Sequence, residues 1–253
     1  MKKTLIAVLS SGLIFSTSFN MAIASQSDIA QEINSYAEVF SGSNYIKQRS
    51  VMDRLAWAGL SSEQVYDPIE EKLRSSLDTK DKEKVEQASW FAKTLALSGN
   101  EKYRPILEQA STSAKSAKLK KYSKTALKRL DKYKAWNPVI SQGLASAPTG
   151  QLEEARVINM LNASDYELVR IGAKRAYKEF SDSHQVVSSI GKKLETETNI
   201  SKSEDMRIDA VAWLLKVIGG TANPEYRTVV ENVIANNKNA KIRKYAKKAL
   251  KSL

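Results

Sequence analysis

The segment "KLKKYSKTALKRL", residues 118–130, returns as "KIRKYAKKALKSL", residues 241–253, and the return belongs to a longer echo. At an offset of 123, residues 90–130 align without a gap onto 213–253, with 16 of 41 positions identical. Trp90 meets Trp213, Asn100 meets Asn223, Tyr103 and Arg104 meet Tyr226 and Arg227, and Tyr122 meets Tyr245. Agreement of this length means an internal duplication, which restricts the chain to architectures built from repeated units. A shorter period lies inside it. "LVRIGAKRAYKEF", residues 168–180, lays over the terminal segment with Arg170 on Arg243, Ala173 on Ala246 and Ala176 on Ala249. Apolar anchors at Met52, Val85, Leu119, Val169, Ile208 and Ile242 are spaced by 33, 34, 50, 39 and 34 residues. Four of these gaps suit one helical hairpin per repeat, and the gap of 50 is the exception.

Within each segment the apolar period is helical. Leu119, Tyr122, Ala126, Leu127, Leu130 and Tyr133 recur at threes and fours, while Lys118, Lys121, Lys124, Lys128 and Lys132 fill the other side. The punctuation agrees. In "GGTANPEYRTVV" Gly219 and Gly220 are expected at a helix end, Asn223 as N-cap and Pro224 at the first helical position. The spacing predicts twelve helices, over about residues 27–40, 44–59, 68–77, 82–97, 101–112, 116–134, 151–160, 164–180, 183–196, 203–218, 224–236 and 239–252, and no strand. Between 135 and 150, Pro138, Gly143, Pro148 and Gly150 interrupt the pattern, so this stretch is read as a hinge or a degenerate repeat. It divides a stack of residues 25–134 from one of 151–253. Trp57, Trp90 and Trp213 are expected in the core at equivalent helix positions. Trp136 falls outside that scheme, either capping the first stack or anchoring a partner.

These segments resemble HEAT-like and armadillo-like repeats, whose first helix carries an apolar residue, then arginine, then alanines and a leucine. The residues that carry the likeness are Ile242, Arg243, Ala246, Ala249 and Leu250, and Val169, Arg170, Ala173 and Ala176. Glu86 stands where an arginine is typical, and 135–150 matches nothing in the pattern. The resemblance implies an all-α fold, a right-handed α solenoid of stacked helical hairpins. It also implies partner binding along a curved surface, although some members of these families bind nucleic acid and a few are enzymes.

Residues 1–24 read as an export signal: Lys2 and Lys3, an uncharged stretch, then the small residues Ala22–Ala24, which place the mature start at Ser25. The expected location is the periplasm or outside the cell. The formal charge of +12 includes Lys2 and Lys3, so about +10 remains after cleavage, a balance that favours anionic partners. There is no cysteine, which excludes disulfides, thiol chemistry and thiolate metal sites.

The catalytic inventory is thin. His184 is the only histidine, and the acidic pairs Glu70 with Glu71, Glu153 with Glu154 and Glu204 with Asp205 sit side by side, as on solvated helix faces. No phosphate-gripping glycine loop occurs. The sequence therefore predicts a chain without catalysis, cofactor or metal, which binds an acidic protein in the cell envelope. The alternative is a module for an anionic envelope polymer or nucleic acid, with peripheral membrane contact open to either. Residues 115–134 hold nine bases and one acid, and 238–253 hold seven bases and no acidic side chain. The candidate binding residues are Lys118, Lys121, Lys124, Lys128 and Trp136, with Lys241, Lys244, Lys247 and Lys251 in the second copy.

Overall fold

A computed structural model describes residues 16–197, 200 and 203–253, with side chains from residue 26 onward. Among these residues there are twelve α-helices and no strand: α1 (Ser16–Ser41), α2 (Tyr45–Ala58), α3 (Glu63–Ser75), α4 (Lys82–Leu95), α5 (Arg104–Ser113), α6 (Ala117–Ile140), α7 (Leu152–Leu161), α8 (Tyr166–Glu179), α9 (His184–Thr196), α10 (Asp205–Gly220), α11 (Arg227–Asn236) and α12 (Ala240–Leu250). The chain is all-α. Of the expected leader, residues 1–15 lie outside the described part.

Side-chain caps set half of the starts. Asn44, Asp81, Ser116, Asp165, Ser183 and Asn239 each accept a backbone N–H from the first turn of the helix they precede. Short connections turn the helices back in pairs, and the pairs stack in two layers. In each half the odd-numbered helices pack on odd ones and the even on even: α1 on α3 and α3 on α5, α2 on α4 and α4 on α6, then α7 on α9 on α11 and α8 on α10 on α12. The six apolar anchors lie on α2, α4, α6, α8, α10 and α12, and all are buried.

The duplication covers more of the chain than the sequence match. Helices α4, α5 and α6 begin 123 residues before α10, α11 and α12, and α2 and α3 begin 121 residues before α8 and α9. The two-residue difference lies in the connection before α10, which has eight residues against six before α4. The weak match upstream of Trp90 therefore reflects a shift of register as well as divergence.

Two sequence expectations are corrected and one is refined. Helix α3 begins at Glu63 behind Ser62, with Pro68 inside it, five residues earlier than the proline suggested. Gly219 and Gly220 do fall at a helix end, as the last residues of α10, and the left-handed position after it is taken by Ala222 at φ 51°. The other correction concerns the break at 135. Helix α6 runs through it to Ile140, and its extra turns account for the gap of 50 residues between anchors.

Those extra turns lie across the ends of α2 and α4. The Tyr133 hydroxyl donates to the Ala56 carbonyl at 3.1 Å, and the buried Asn137 amide donates to the carbonyls of Leu60, Leu97 and Ser98. Gly99 is required here: its φ is +59°, and a Cβ would lie 2.5 Å from the Lys134 nitrogen. Beyond α6, residues Leu144–Ser146 pack on α1, and Arg156 of α7 pairs with Glu32 of α1. The first hairpin thus touches the fourth, a departure from an open solenoid, in which each repeat meets only its neighbours.

The tryptophans also sort differently from expectation. Trp90 and Trp213 are equivalent but only partly buried. Trp57 lies near the end of α2, with no tryptophan at the corresponding place on α8. Trp136 is the fully packed one, 5% exposed, with its ring edge-on to Tyr133 and its N–H donated to Asp165 Oδ2 at 2.9 Å. It joins the halves, and its burial removes it as an exposed anchor for a partner.

Candidate functional site

The two lysine segments keep the same helical register and differ in their partners. On α6 and just before it, Lys115 pairs with Asp78 at 3.3 Å, Lys118 with Glu86, Lys132 with Glu167, and Lys134 with Glu101 at 3.1 Å. Lys121, Lys124 and Lys128 are exposed and enter no ion pair. On α12 no lysine is paired among the described residues. Lys241, Lys244, Lys247 and Lys251 are all exposed, as are Lys238 and Lys248, and Arg243 spends Nη1 on the carbonyls of Asn237 and Lys238. Lys244, Lys247, Lys248, Lys251 and Arg243 border one shallow depression, while Lys241 sits apart from it. Of the candidates, the structure thus brings together three α12 lysines and leaves Lys118 neutralised.

Beside that ridge α8, α10 and α12 enclose an open groove of about 520 Å³. Trp213 of α10 meets Tyr177 of α8 edge-on, with centroids 6.0 Å apart, and Tyr245 of α12 forms another wall. Tyr177 and Tyr245 are 39% and 40% exposed, high for rings of this size. Lys216 lies 4.2 Å from the Tyr177 centroid and 4.4 Å from that of Trp213, and Lys248 stands at the margin. The one acid lining the groove, Asp209, is matched by Arg170 at 2.6 Å. The balance left at the groove is positive.

The counterpart in the first half is closed. Arg49 stacks 3.5 Å above Trp90, Lys93 lies 4.0 Å from the same ring and 4.1 Å from Tyr122, and Glu86 accepts the Trp90 N–H at 3.1 Å. Lys118 and Trp90 both bond the Glu86 carboxyl and hold it below its ordinary pKa, with the lysine contact the larger cause. Sequence comparison stressed identities between the copies, whereas the groove arises from differences. Tyr177 stands where the first half has Ala56, and Gly220 where it has Leu97. Those two mismatches were the available signal.

A second concavity, of about 800 Å³, lies at the junction of the halves. Arg156 is wholly buried; it reaches Glu32 at 2.5 Å and also pairs with Glu153. Arg175 pairs with the same Glu153 and with Glu179 at 3.0 Å, its guanidinium lying 5.1 Å from the Trp57 centroid and 5.5 Å from that of Phe180. Arg156 Nε and Arg175 Nη1 are buried without a hydrogen-bond partner. Burial opposes the charge of Glu153, yet Arg175 and Arg156 outweigh it and keep the carboxyl below its usual range. Glu153 thus joins two buried arginines while its own side chain stays 43% exposed, so its reading as part of a solvated face holds in part; Glu70 and Glu204 pair locally with Arg74 and Arg207. His184 is exposed at the start of α9. Among the described residues no helix is long and apolar enough to cross a membrane.

No protein-family model matches the chain, and no curated protein matches it. Among solved structures it is similar to human deoxyhypusine hydroxylase in complex with glycerol, with 11% identity over 90% of this chain and 97% of that one, at a TM-score of 0.32. That protein is an enzyme by name, so the expectation that this chain has no catalytic role is withdrawn. A likeness at this level assigns no activity, substrate or metal to this chain.

Proposed function

We propose that this is an exported helical-repeat protein that binds an acidic protein partner through α12 and the adjoining face of α10. The observation that carries the reading is the contrast between the two lysine segments: four bases of the first are matched by acids, and none of the second is. Unmatched like charges on one short helix repel one another, and an acidic surface relieves that repulsion while steering its own approach. The six hairpins are read as divergent HEAT-like repeats, supported by their two alternating layers and by Arg170 and Arg243 at the expected helix positions.

A labelled octaglutamate peptide tests the binding face. Changing Lys241, Lys244, Lys247 and Lys251 together to glutamine is expected to weaken its binding about tenfold or more near physiological salt, since each exposed charge contributes a few tenths of a kcal/mol. The same change at Lys118, Lys121, Lys124 and Lys128 is expected to cost less, because Lys118 is already neutralised. Equal losses from both sets, or none from the α12 set, would reject the reading. Export is supported by the leader pattern at residues 1–24. Amino-terminal sequencing of the native protein is expected to begin at or near Ser25; an intact Met1 would refute it.

A further inference from the structure

We propose that the groove between α8, α10 and α12 receives an aromatic side chain carried within an acidic segment of the partner. This rests on the binding face argued above and names what the partner must carry. The duplication supplies the argument. Both halves hold a tryptophan, a lysine one turn later and a tyrosine from the third even helix: Trp90, Lys93 and Tyr122, then Trp213, Lys216 and Tyr245. In the first half the set is satisfied internally, the Trp90 N–H bonded to Glu86 and its face covered by Arg49.

In the second half each of those internal partners has been lost. Asp209 replaces Glu86 with a side chain one carbon shorter and is held by Arg170, so the Trp213 N–H has no hydrogen-bond partner among the described residues. Arg170, the counterpart of Arg49, has moved to that acid and off the ring, where only the more distant Lys174, 5.1 Å from the centroid, and Lys216 remain among the described residues. Gly220 replaces Leu97, which is buried in the first half, and Tyr177 adds a third ring where Ala56 stood. The result is a concavity lined by three aromatic rings, with an open indole donor and lysines at its edge. Rings of this kind favour an edge-on or offset aromatic guest, and the lysines select one flanked by carboxylates. Charge alone needs no cavity, and an apolar guest alone needs no lysines.

Gly220 provides the plug. Its φ is not in the left-handed region, and a Cβ there would meet only Tyr177 Cε2, at 3.8 Å, so Gly220→Leu restores the residue of the closed copy without disturbing a lysine. The test uses two fluorescein-labelled peptides, glutamates around a central phenylalanine or a central alanine, titrated by anisotropy at about 150 mM salt. The phenylalanine peptide is expected to bind about tenfold tighter, in keeping with burial of one aromatic ring. Gly220→Leu is expected to abolish that advantage and leave the alanine peptide unchanged, with Tyr245→Ala as a second, exposed variant that reduces it. Equal binding of the two peptides overturns the groove inference while leaving the lysine reading intact; failure of both to bind overturns both. A phenylalanine advantage that survives Gly220→Leu places the guest elsewhere. Self-association in sedimentation that disappears in Gly220→Leu would give the groove to a second copy of the chain and reject an acidic partner there.

Discussion

Residue 99 and its counterpart 222 show how one backbone position is handled twice. Both adopt left-handed φ, +59° at Gly99 and 51° at Ala222. A residue with a Cβ loses about 1–2 kcal/mol in that conformation, whereas glycine adopts it freely at the cost of a more flexible unfolded chain. Ala222→Gly is therefore expected to raise stability by about 0.5–1 kcal/mol, seen as a higher urea midpoint with an unchanged slope. Gly99→Ala carries the same conformational strain and also drives its Cβ into the backbone of α6 at Tyr133 and Lys134. A loss of at least about 2 kcal/mol is expected, and a neutral outcome would show that α6 does not approach Gly99 as closely as described.

Among the elements, α7 is the one whose sequence says least about its work. "LEEARVINML" reads as a short amphipathic helix, yet it places Arg156 wholly inside the protein between Glu32 of α1 and its own Glu153. Removing one member of a buried ion pair leaves the others uncompensated, so Arg156→Ala is expected to cost about 3–5 kcal/mol in equilibrium unfolding. The pH response follows from Glu153. Its folded pKa lies below the unfolded value, so its contribution is present above the ordinary carboxylate range and is lost as pH falls through the folded value. Melting curves from about pH 6 down to about pH 3 are expected to show a shallower acid decline in Glu153→Gln than in the parent, because the variant has no proton to take up there. An identical decline would remove Glu153 from the acid sensitivity. Glu153 meets Arg156 three residues along its own helix and Arg175 across 22 residues, and helical spacing shows only the first of these contacts.

For the whole molecule, the question is whether duplication made two bodies or one. At the end of α6 Asn137 ties the first half together and Trp136 bonds across to Asp165, while the Arg156 network closes α1 onto α7. A hinge would need a lightly packed, solvated segment between the halves. Residues 136, 137 and 140 are instead buried in α6, and Leu144 is buried in the turn that packs on α1. The halves are accordingly expected to unfold together, with tryptophan fluorescence and far-UV circular dichroism giving coincident transitions. Separate midpoints for the two signals would show that the junction does not couple them. The same closure explains why the described stack departs from a row of repeats that meet only in sequence.

The helices, their caps and the duplicated register were readable from the chain because they depend on neighbours three or four residues away: an apolar period, an asparagine before a first turn, an ungapped echo. Even there, Pro68 and Pro138 misled, since tertiary packing holds helices through prolines that would end them in isolation. The lysine motif with which the echo ends keeps the same lysine spacing twice, and nothing local distinguishes its copies. What separates them is distant: Glu86 meets Lys118 across 32 residues, and among the described residues no acid pairs with a base of α12. The groove is decided in the same way, by whether Arg49 or Arg170 lies on its tryptophan and by whether a leucine fills the space beside it. Pairing and packing of residues far apart in the chain depend on where whole helices come to rest, and only the tertiary structure sets that.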